Sequence, residues 1–260
     1  MAKKRRKMKA VRRRKASRKT FSAAEKRVST GIPNFDRLIK GGYEKNSKNL
    51  IVGGSGSGKS IFAVQFLVEG MKNNEKCLYI TFEEKKESFY SNMLDFGWDL
   101  KKYERAGLFT FLEYTPIKVK NMLEEGGGAI ENIVLNKKIN RIVFDSITSF
   151  ELLFEGELSK REAAISLFNI INKWNCTSLL TLEEDPFYIF MDTKDSKLTS
   201  RAIEFESDSI TLLYFIRTKF HREHFLEVLK MRGTDHSTDM YKFEIGRKGI
   251  SLSKKPVKEA

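Results

Sequence analysis

The stretch that decides the fold is Gly53–Ser60, GGSGSGKS, which stands between an apolar run, Asn49–Val52 (NLIV), and an amphipathic run, Ile61–Phe66 (IFAVQF). An apolar run, a glycine-dense turn and an amphipathic run predict a strand, a loop and a helix in that order. The spacing fits the pattern G-x-x-x-x-G-K-[ST]. Its fixed positions are Gly53, Gly58, Lys59 and Ser60.

This pattern has a physical purpose at a strand-to-helix junction. Backbone N–H groups that converge at a helix N-terminus bind a polyanion, and glycine lets the backbone come close to it. Lys59 adds a positive charge for the β- and γ-phosphates, and the Ser60 hydroxyl is a ligand for Mg²⁺. The alternative is a flexible Gly/Ser turn, which the flanking strand and helix disfavour. We therefore predict that a nucleoside triphosphate and Mg²⁺ bind at Gly53, Gly54, Ser55, Gly56, Ser57, Gly58, Lys59, Ser60 and Ile61.

The positive charge of the chain is concentrated at its N-terminus. The net charge is +14, and twelve cations with no acid lie between Met1 and Thr20, which leaves about +2 for the rest. Such a segment cannot bury apolar surface, so we expect residues 1–27 to form a disordered tail. Two interpretations stay open: phosphate contacts with a nucleic acid, or a solvated tail that keeps the protein soluble.

Composition also bounds the location of the chain. No run of about 18 uncharged apolar residues is present, which predicts no membrane span, and no apolar segment follows the basic N-terminus as in a secretory signal. Cys77 and Cys176 lie in apolar runs without a CxxC pattern, which favours reduced core thiols. We expect a cytoplasmic protein.

The apolar runs alternate with helical patterns along the chain. Strands are predicted at Leu50–Gly53, Cys77–Phe82, Leu108–Leu112, Arg141–Phe144 and Thr177–Leu182, and helices at Lys59–Met71, Lys85–Phe96, Lys118–Asn136 and Glu162–Trp174. We expect the Gly126–Gly128 triplet to interrupt the third of these helices. Fully apolar strands between helices predict an α/β fold with a mainly parallel sheet covered on both faces. Adjacent strand patterns after Ser207 predict an antiparallel C-terminal extension. One domain over residues 28–253 is the economical interpretation, followed by a short tail, residues 254–260.

Carboxylates follow two of the predicted strands. Asp145 ends one of them, where it would lie beside the phosphate loop and near Mg²⁺. Glu83 and Glu84 end another, which we expect to neighbour the phosphate-loop strand, and one of them would act as base toward a water. The alternatives are that Asp145 caps a helix and that the two glutamates simply begin one.

A family resemblance covers Val28 to about Leu252. The chain resembles the KaiC-like branch of the RecA-superfamily ATPases, with a RecA-like P-loop fold. The matching blocks are STGIPNFDRLIKGG (29–42), GGSGSGKS (53–60), FAVQFL (62–67), YITFEE (79–84), FGWDL (96–100), RIVFDSITS (141–149), EFESD (204–208) and LEVLKMRGTDHS (226–237).

The resemblance implies roles for particular residues. Glu83 and Glu84 match the catalytic glutamate pair of the family, and Asp145 matches its Mg²⁺-associated aspartate. Members form rings with ATP between subunits, which implies a homo-oligomer, a hexamer. Three further residues match those that reach the γ-phosphate of the neighbouring subunit, namely Lys230, Arg232 and His236. Glu183 stands where the family has a polar sensor of nucleotide state.

The chain also departs from the best-known members of this branch. They carry two such domains, whereas this chain carries one, with Glu204-Phe205 where an autophosphorylating domain has a Ser-Thr pair; we expect no autokinase activity. Three functions remain: an ATP-hydrolysing ring that acts on a protein partner, a DNA-associated ATPase, and a slow nucleotide-dependent scaffold. The segments matching the DNA-binding loops of recombinases, Glu151–Lys160 and Glu184–Arg201, are not basic, so DNA would bind the tail. Richness in Lys, Ile and Glu, taken with this family resemblance, suggests an archaeal source.

Overall fold

The computed structural model describes residues 27–186 and 203–258. The predicted basic tail, apart from Arg27, and most of the predicted loop Glu184–Arg201 lie outside the described residues. Eight helices lie entirely within the described part of the chain. They are α1 (Pro33–Leu38), α2 (Lys59–Lys72), α3 (Lys86–Leu94), α4 (Leu100–Arg105), α5 (Pro116–Glu124), α6 (Gly128–Lys137), α7 (Ile147–Glu151) and α8 (Glu157–Lys173).

The centre of the fold is a nine-stranded sheet, beside a small antiparallel pair, β1 (Arg27–Val28) and β2 (Tyr43–Glu44). Its strands are β3 (Lys48–Gly53), β4 (Cys77–Thr81), β5 (Phe109–Glu113), β6 (Arg141–Asp145), β7 (Thr177–Glu183), β8 (Ser209–Arg217), β9 (Arg222–Met231), β10 (Tyr241–Gly246) and β11 (Gly249–Leu252). They lie in the order β11-β10-β9-β8-β3-β7-β6-β4-β5. The pairs from β8 to β5 are parallel and those from β8 to β11 are antiparallel.

The core lies on both faces of this sheet. Every residue of β3, β4 and β6 is buried, as parallel strands covered by helices on both sides require. One cluster includes Phe62 and Phe66 of α2, and the other includes Leu167 and Phe168 of α8. The predicted α/β class and antiparallel extension are therefore confirmed.

Two details differ from the sequence predictions. The strand that ends before Glu83 does not neighbour β3, because β7 and β6 lie between β3 and β4. The extension begins one strand later than expected, since β8 pairs parallel with β3. The predicted interruption of the helix Lys118–Asn136 at its glycine triplet is confirmed: it forms two helices, α5 and α6, and Gly126 and Gly127 between them adopt positive φ angles of 67° and 122°.

The sheet register gives the domain two distinct edges. At the end of β3, Gly53 pairs with Leu213, which pairs with Leu226; we call this the phosphate-loop edge. Four residues earlier, Asn49 pairs with Ser209, which pairs with Met231; we call this the opposite edge. At about 3.3 Å per residue, the two sets lie about 13 Å apart along the strands.

Candidate nucleotide-binding site

The phosphate loop, Gly53–Ser60, depends on glycine at two positions. A Cβ atom at Gly53 would lie 2.4 Å from Oγ of Ser57 and 2.6 Å from the carbonyl oxygen of Leu213, so no side chain fits there. Gly58, directly before α2, has a φ of 96°, in the left-handed region that favours glycine. These constraints aim the first backbone N–H groups of α2 at the space in front of the loop.

A cleft of about 310 Å³ opens in front of this loop. It is lined by Ser55, Gly56, Gly58, Lys59, Ser60, Ile61, Thr81, Glu83, Glu84, Asp145, Ser146, Glu183 and Ile245. The loop and the ends of β4, β6 and β7 thus bring together one cation and four carboxylates. Three residues predicted to bind the nucleotide, Gly53, Gly54 and Ser57, do not line the cleft; Gly53 and Ser57 are packed behind it.

Lys59 is the cation of this cleft. Its Nζ donates a hydrogen bond to the carbonyl oxygen of Gly54 at 2.9 Å, and its side chain is buried. Burial lowers the pKa of the ammonium group, while the carboxylates of Glu183, Asp145 and Glu83 act in the opposite direction. These acids favour the charged form that a phosphate site requires.

Asp145 is held by two hydroxyl groups. Tyr79 donates a hydrogen bond to Oδ2 at 2.5 Å, and Thr181 donates to Oδ1. Tyr79 is fully buried, and this burial together with the charge of Asp145 raises its pKa well above the ordinary value. The phenol therefore stays protonated and remains a donor. These bonds fix the orientation of the carboxylate at the edge of the cleft.

The two glutamates after β4 have different surroundings. Oε1 of Glu83 accepts hydrogen bonds from the hydroxyls of Ser146, at 3.2 Å, and Ser149. Burial, followed by the charges of Asp145 and Glu83, raises the pKa of Glu84. The two acids therefore differ in their surroundings: hydroxyl groups hold the carboxylate of Glu83, whereas that of Glu84 is partly buried.

Glu183 ends β7 at the margin of the cleft. Its backbone N–H donates to Oγ1 of Thr148 at 2.7 Å, which ties the strand end to α7. The residue predicted as a sensor therefore joins the cleft to a helix that begins just after Asp145.

Three predicted residues lie away from the cleft of their own chain. Lys230 donates from Nζ to the carbonyl oxygen of Glu204 at 2.7 Å, and Arg232 lies 3.4 Å from Oδ1 of Asp208. Both lie around the end of β9 at the opposite edge of the sheet. His236 contacts the carbonyl oxygen of Ser237 at 3.0 Å through Nδ1.

Sequence reasoning missed several side chains of the site. Tyr79 and Thr181 are interior residues of strands, and only the pairing of β4, β6 and β7 brings them to Asp145. Ser146 and Ser149 follow Asp145 closely, and hydroxyl residues there are a signal that could have been used. A further omission, His224, lies in β9 and contacts the carbonyl oxygen of Gly56 at 3.1 Å through Nε2.

Comparison with known proteins agrees with this geometry. A family model described as "ATPase: KaiC" matches residues 28–257. The chain belongs to the KaiC family of ATPases. The predicted resemblance is thereby confirmed, and it covers the sheet, the cleft and the opposite edge.

Relatives within the KaiC family differ in length. The circadian clock protein KaiC3 of Synechocystis is 31% identical over 235 residues, which cover 87% of this chain and 45% of KaiC3; the chain thus spans about half of that relative. A UPF0273 protein of Pyrococcus furiosus is 30% identical over 86% of this chain and 93% of its own length. The crystal structure of a KaiC-like protein from Pyrococcus horikoshii matches with a TM-score of 0.76 at 33% identity, covering 87% of this chain and 98% of that one.

Across residues 27–186 and 203–258, no helix has the length and apolar character to cross a bilayer.

Proposed function

We propose that this chain binds ATP with Mg²⁺ at the phosphate loop and hydrolyses it. The observation that carries the proposal is the meeting, in one cleft, of a glycine-shaped helix N-terminus, a buried lysine and four carboxylates. A helix N-terminus and a lysine bind phosphate groups, whereas carboxylates repel them unless a metal or a proton lies between. The combination therefore suits a metal-bound triphosphate better than a simple anion.

The residues present fit a magnesium ion. Ser60 offers a hydroxyl oxygen at the first turn of α2, and Asp145 offers a carboxylate already oriented by Tyr79 and Thr181. Hard oxygen donors of this type are those that Mg²⁺ prefers. When bound, the ion would neutralise charge on the phosphate oxygens.

Glu83 is the proposed base and Glu84 its partner. Hydroxyls of Ser146 and Ser149 donate to Glu83 and hold in place the carboxylate that would accept a proton from water. Glu84, which lines the same cleft, is proposed to orient the water. The carboxylate pair also supports turnover rather than passive nucleotide storage.

Lys230 and Arg232 are proposed to act on the nucleotide of a neighbouring copy. They lie at the opposite edge of the sheet, so their own phosphate loop is out of reach. A cation delivered by a neighbour would neutralise charge that develops at the γ-phosphate. His236, four residues after Arg232, would join them. We infer a ring, a hexamer as the family resemblance implies, in which Glu183 relays nucleotide state through Thr148 to a protein partner.

The two cysteines indicate the redox state of the compartment in which the protein works. Cys77 and Cys176 are both buried free thiols, which suits a reducing compartment, and we propose a cytoplasmic location.

Phosphate release from ATP tests the proposal. The full chain should release phosphate when Mg²⁺ is present and stop when EDTA is added. Lys59→Ala should weaken ATP binding at least tenfold, measured by calorimetry, because the loop loses its buried charge. Lys72→Ala, the same change at the far end of α2, is the matched control. Failure to bind ATP at millimolar concentration, or equal effects of the two changes, would contradict the assignment.

A further inference from the structure

The hairpin formed by β8 and β9 extends past the phosphate loop. Gly53, the last residue of β3, pairs with Leu213, whereas β8 continues for four more residues to Arg217. At about 3.3 Å per residue, the hairpin reaches about 13 Å beyond the end of β3. Its turn is closed by a hydrogen bond from the N–H of Thr218 to the carbonyl oxygen of His221 at 2.8 Å.

The end of this hairpin combines cations with an exposed aromatic ring. Arg217, Lys219 and Arg222 are all exposed. Phe220 is 84% exposed, the highest value among the large apolar residues in the described part of the chain. We call residues 217–222 the hairpin tip.

Two cations of the hairpin lie at cation–π distances from its aromatic rings. Nζ of Lys219 lies 5.2 Å from the ring centre of Phe220, and the guanidinium of Arg222 lies 5.3 Å from that of Phe215. The ammonium over one face of Phe220 leaves the other face of this exposed ring free to contact a flat ligand. Phe220 therefore presents an aromatic face flanked by positive charge.

Acids near the tip do not remove its positive charge. Glu223 is the acid within the segment from Phe215 to His224, and its carboxylate contacts two basic side chains, His221 at 2.8 Å and Lys242 at 2.7 Å. The cations of the tip thus outnumber its acids, which suits a polyanionic partner.

The base of the hairpin is held firmly. His224 stacks on Phe215 with ring centres 4.3 Å apart, and it lies 5.1 Å from the ring of Phe243. Its Nε2 also contacts the carbonyl oxygen of Gly56. A tip on such a base is presented in a fixed position relative to the phosphate loop.

We propose that the hairpin tip is a contact surface for single-stranded nucleic acid, with Phe220 stacked on a base and the flanking cations on phosphates. Aromatic platforms between cations bind single strands without sequence preference, because every base has a flat face. A duplex keeps its base faces stacked internally, so an exposed ring gains little there. The surface differs from the basic tail, residues 1–27, and the proposal does not depend on ATP hydrolysis.

Fluorescence anisotropy with a labelled single-stranded 20-mer, on the full chain without nucleotide, tests the stacking. Phe220→Ala should weaken binding about fivefold or more, which is the lower range for one stacked base. Phe220→Leu should weaken it similarly if stacking rather than apolar contact is responsible. Phe205→Ala, at a phenylalanine that is 73% exposed before β8 begins, is the matched control and should leave affinity unchanged.

Salt dependence tests the phosphate contacts. The double change Lys219→Gln with Arg222→Gln should reduce the slope of log affinity against log salt by about 1.4, since each single-strand phosphate contact contributes about 0.7. The control is the same loss of charge in α4, Lys101→Gln with Lys102→Gln. This double change should leave the salt slope nearly unchanged.

Cross-linking separates the hairpin from the tail. Ultraviolet cross-links from oligo-dT should map by mass spectrometry to the peptide that contains Phe220. Cross-links confined to residues 1–27, or equal affinities of Phe220→Ala and Phe205→Ala, would overturn the proposal. It would also be overturned if the tip variants lost binding to vesicles of anionic and neutral phospholipid in equal parts but kept oligonucleotide affinity.

Discussion

The hydroxyl of Tyr79 donates a hydrogen bond to Oδ2 of Asp145 at 2.5 Å, inside a core where the tyrosine has no exposed surface. Thr181 donates to the other oxygen of the same carboxylate. Asp145 therefore meets the cleft in one orientation, fixed by strands on either side of its own.

Tyr79→Phe removes one donor and leaves Oδ2 of Asp145 without its partner. We expect a loss of about 1–3 kcal/mol in the free energy of unfolding. We also expect a higher Mg²⁺ concentration for half-maximal phosphate release, because the carboxylate is no longer fixed. Tyr43→Phe, at a buried tyrosine that packs on Phe35 and Phe66, is the control. If the Mg²⁺ concentration for half-maximal phosphate release is unchanged, Tyr79 does not orient a magnesium ligand.

Glu83→Gln should keep ATP binding and lose most hydrolysis. An amide cannot accept the proton of the attacking water, and general-base groups contribute about 10²–10⁴ to rates. Single-turnover phosphate release and calorimetric ATP affinity measure the two effects separately. Glu87→Gln, at an exposed glutamate in the first turn of α3, is the control. Wild-type turnover in the Glu83 variant would transfer the role of base to Glu84.

Glu84→Gln should make the protein more stable at neutral pH. The pKa of Glu84 is raised by burial, so the folded state binds more protons than the unfolded state between the ordinary and the raised value. Stability of the wild type therefore falls as the pH rises through that window. The melting temperatures of the two proteins should differ at pH 7 to 8 and converge as the pH falls toward about 4.3, the ordinary pKa of glutamate. A constant difference at every pH would contradict this assignment.

Gly53→Ala should destabilise the fold, whereas Gly54→Ala should not. The new Cβ at position 53 would meet the backbone oxygen of Leu213 at 2.6 Å, and that oxygen belongs to a sheet strand that cannot move easily. Overpacking of this kind costs about 1–3 kcal/mol. Around Gly54 nothing lies within 4 Å of the added carbon, so the change there should stay within about 0.5 kcal/mol. Urea denaturation compares the two variants.

Arg232→Ala should bind ATP nearly normally and hydrolyse it at least about a hundredfold more slowly, as for other arginines delivered to a γ-phosphate. Mixing it with Glu83→Gln should restore part of the activity, because an intact Glu83 cleft can then receive an intact Arg232. Phosphate release, measured for each variant alone and for the mixture, tests whether the arginine acts on the cleft of a neighbouring copy. If the protein hydrolyses ATP as a dilute monomer, and Arg232→Ala does so at the same rate, then no neighbouring copy supplies this arginine.

The sequence was sufficient to predict the kind of fold. Strand–loop–helix at Gly53–Ser60 is a local pattern, and the apolar strands identify a buried parallel sheet without knowledge of their order. The predicted bounds are within one or two residues for most strands; β3, for example, begins at Lys48 rather than Leu50. Lysine and asparagine at its start, which are buried here through long-range hydrogen bonds, give no apolar signal.

The order of the strands could not be predicted in the same way. Which strand lies beside β3 depends on crossover connections, and these placed β7 there instead of the strand before Glu83. For the same reason the partners of Asp145 were missed, because Tyr79 and Thr181 are far from it in sequence and adjacent only across the sheet. The carboxylates themselves were predicted, since they stand at strand ends.

The separation of the phosphate loop from Arg232 has a consequence for symmetry. A contact that joins one edge to the other is heterologous, because the two surfaces that meet are different. Two copies related by a two-fold axis would complete both clefts only if the phosphate loop and Arg232 shared one self-complementary patch, whereas they lie at opposite edges of the sheet. Under the proposed contact, copies joined head to tail leave one unused edge at each end until they close into a ring, and closure then completes every cleft. An open chain of copies would instead have one cleft without an arginine at one end and one arginine without a cleft at the other. Because these two ends matter less in a longer chain, the activity per subunit would rise with the number of copies.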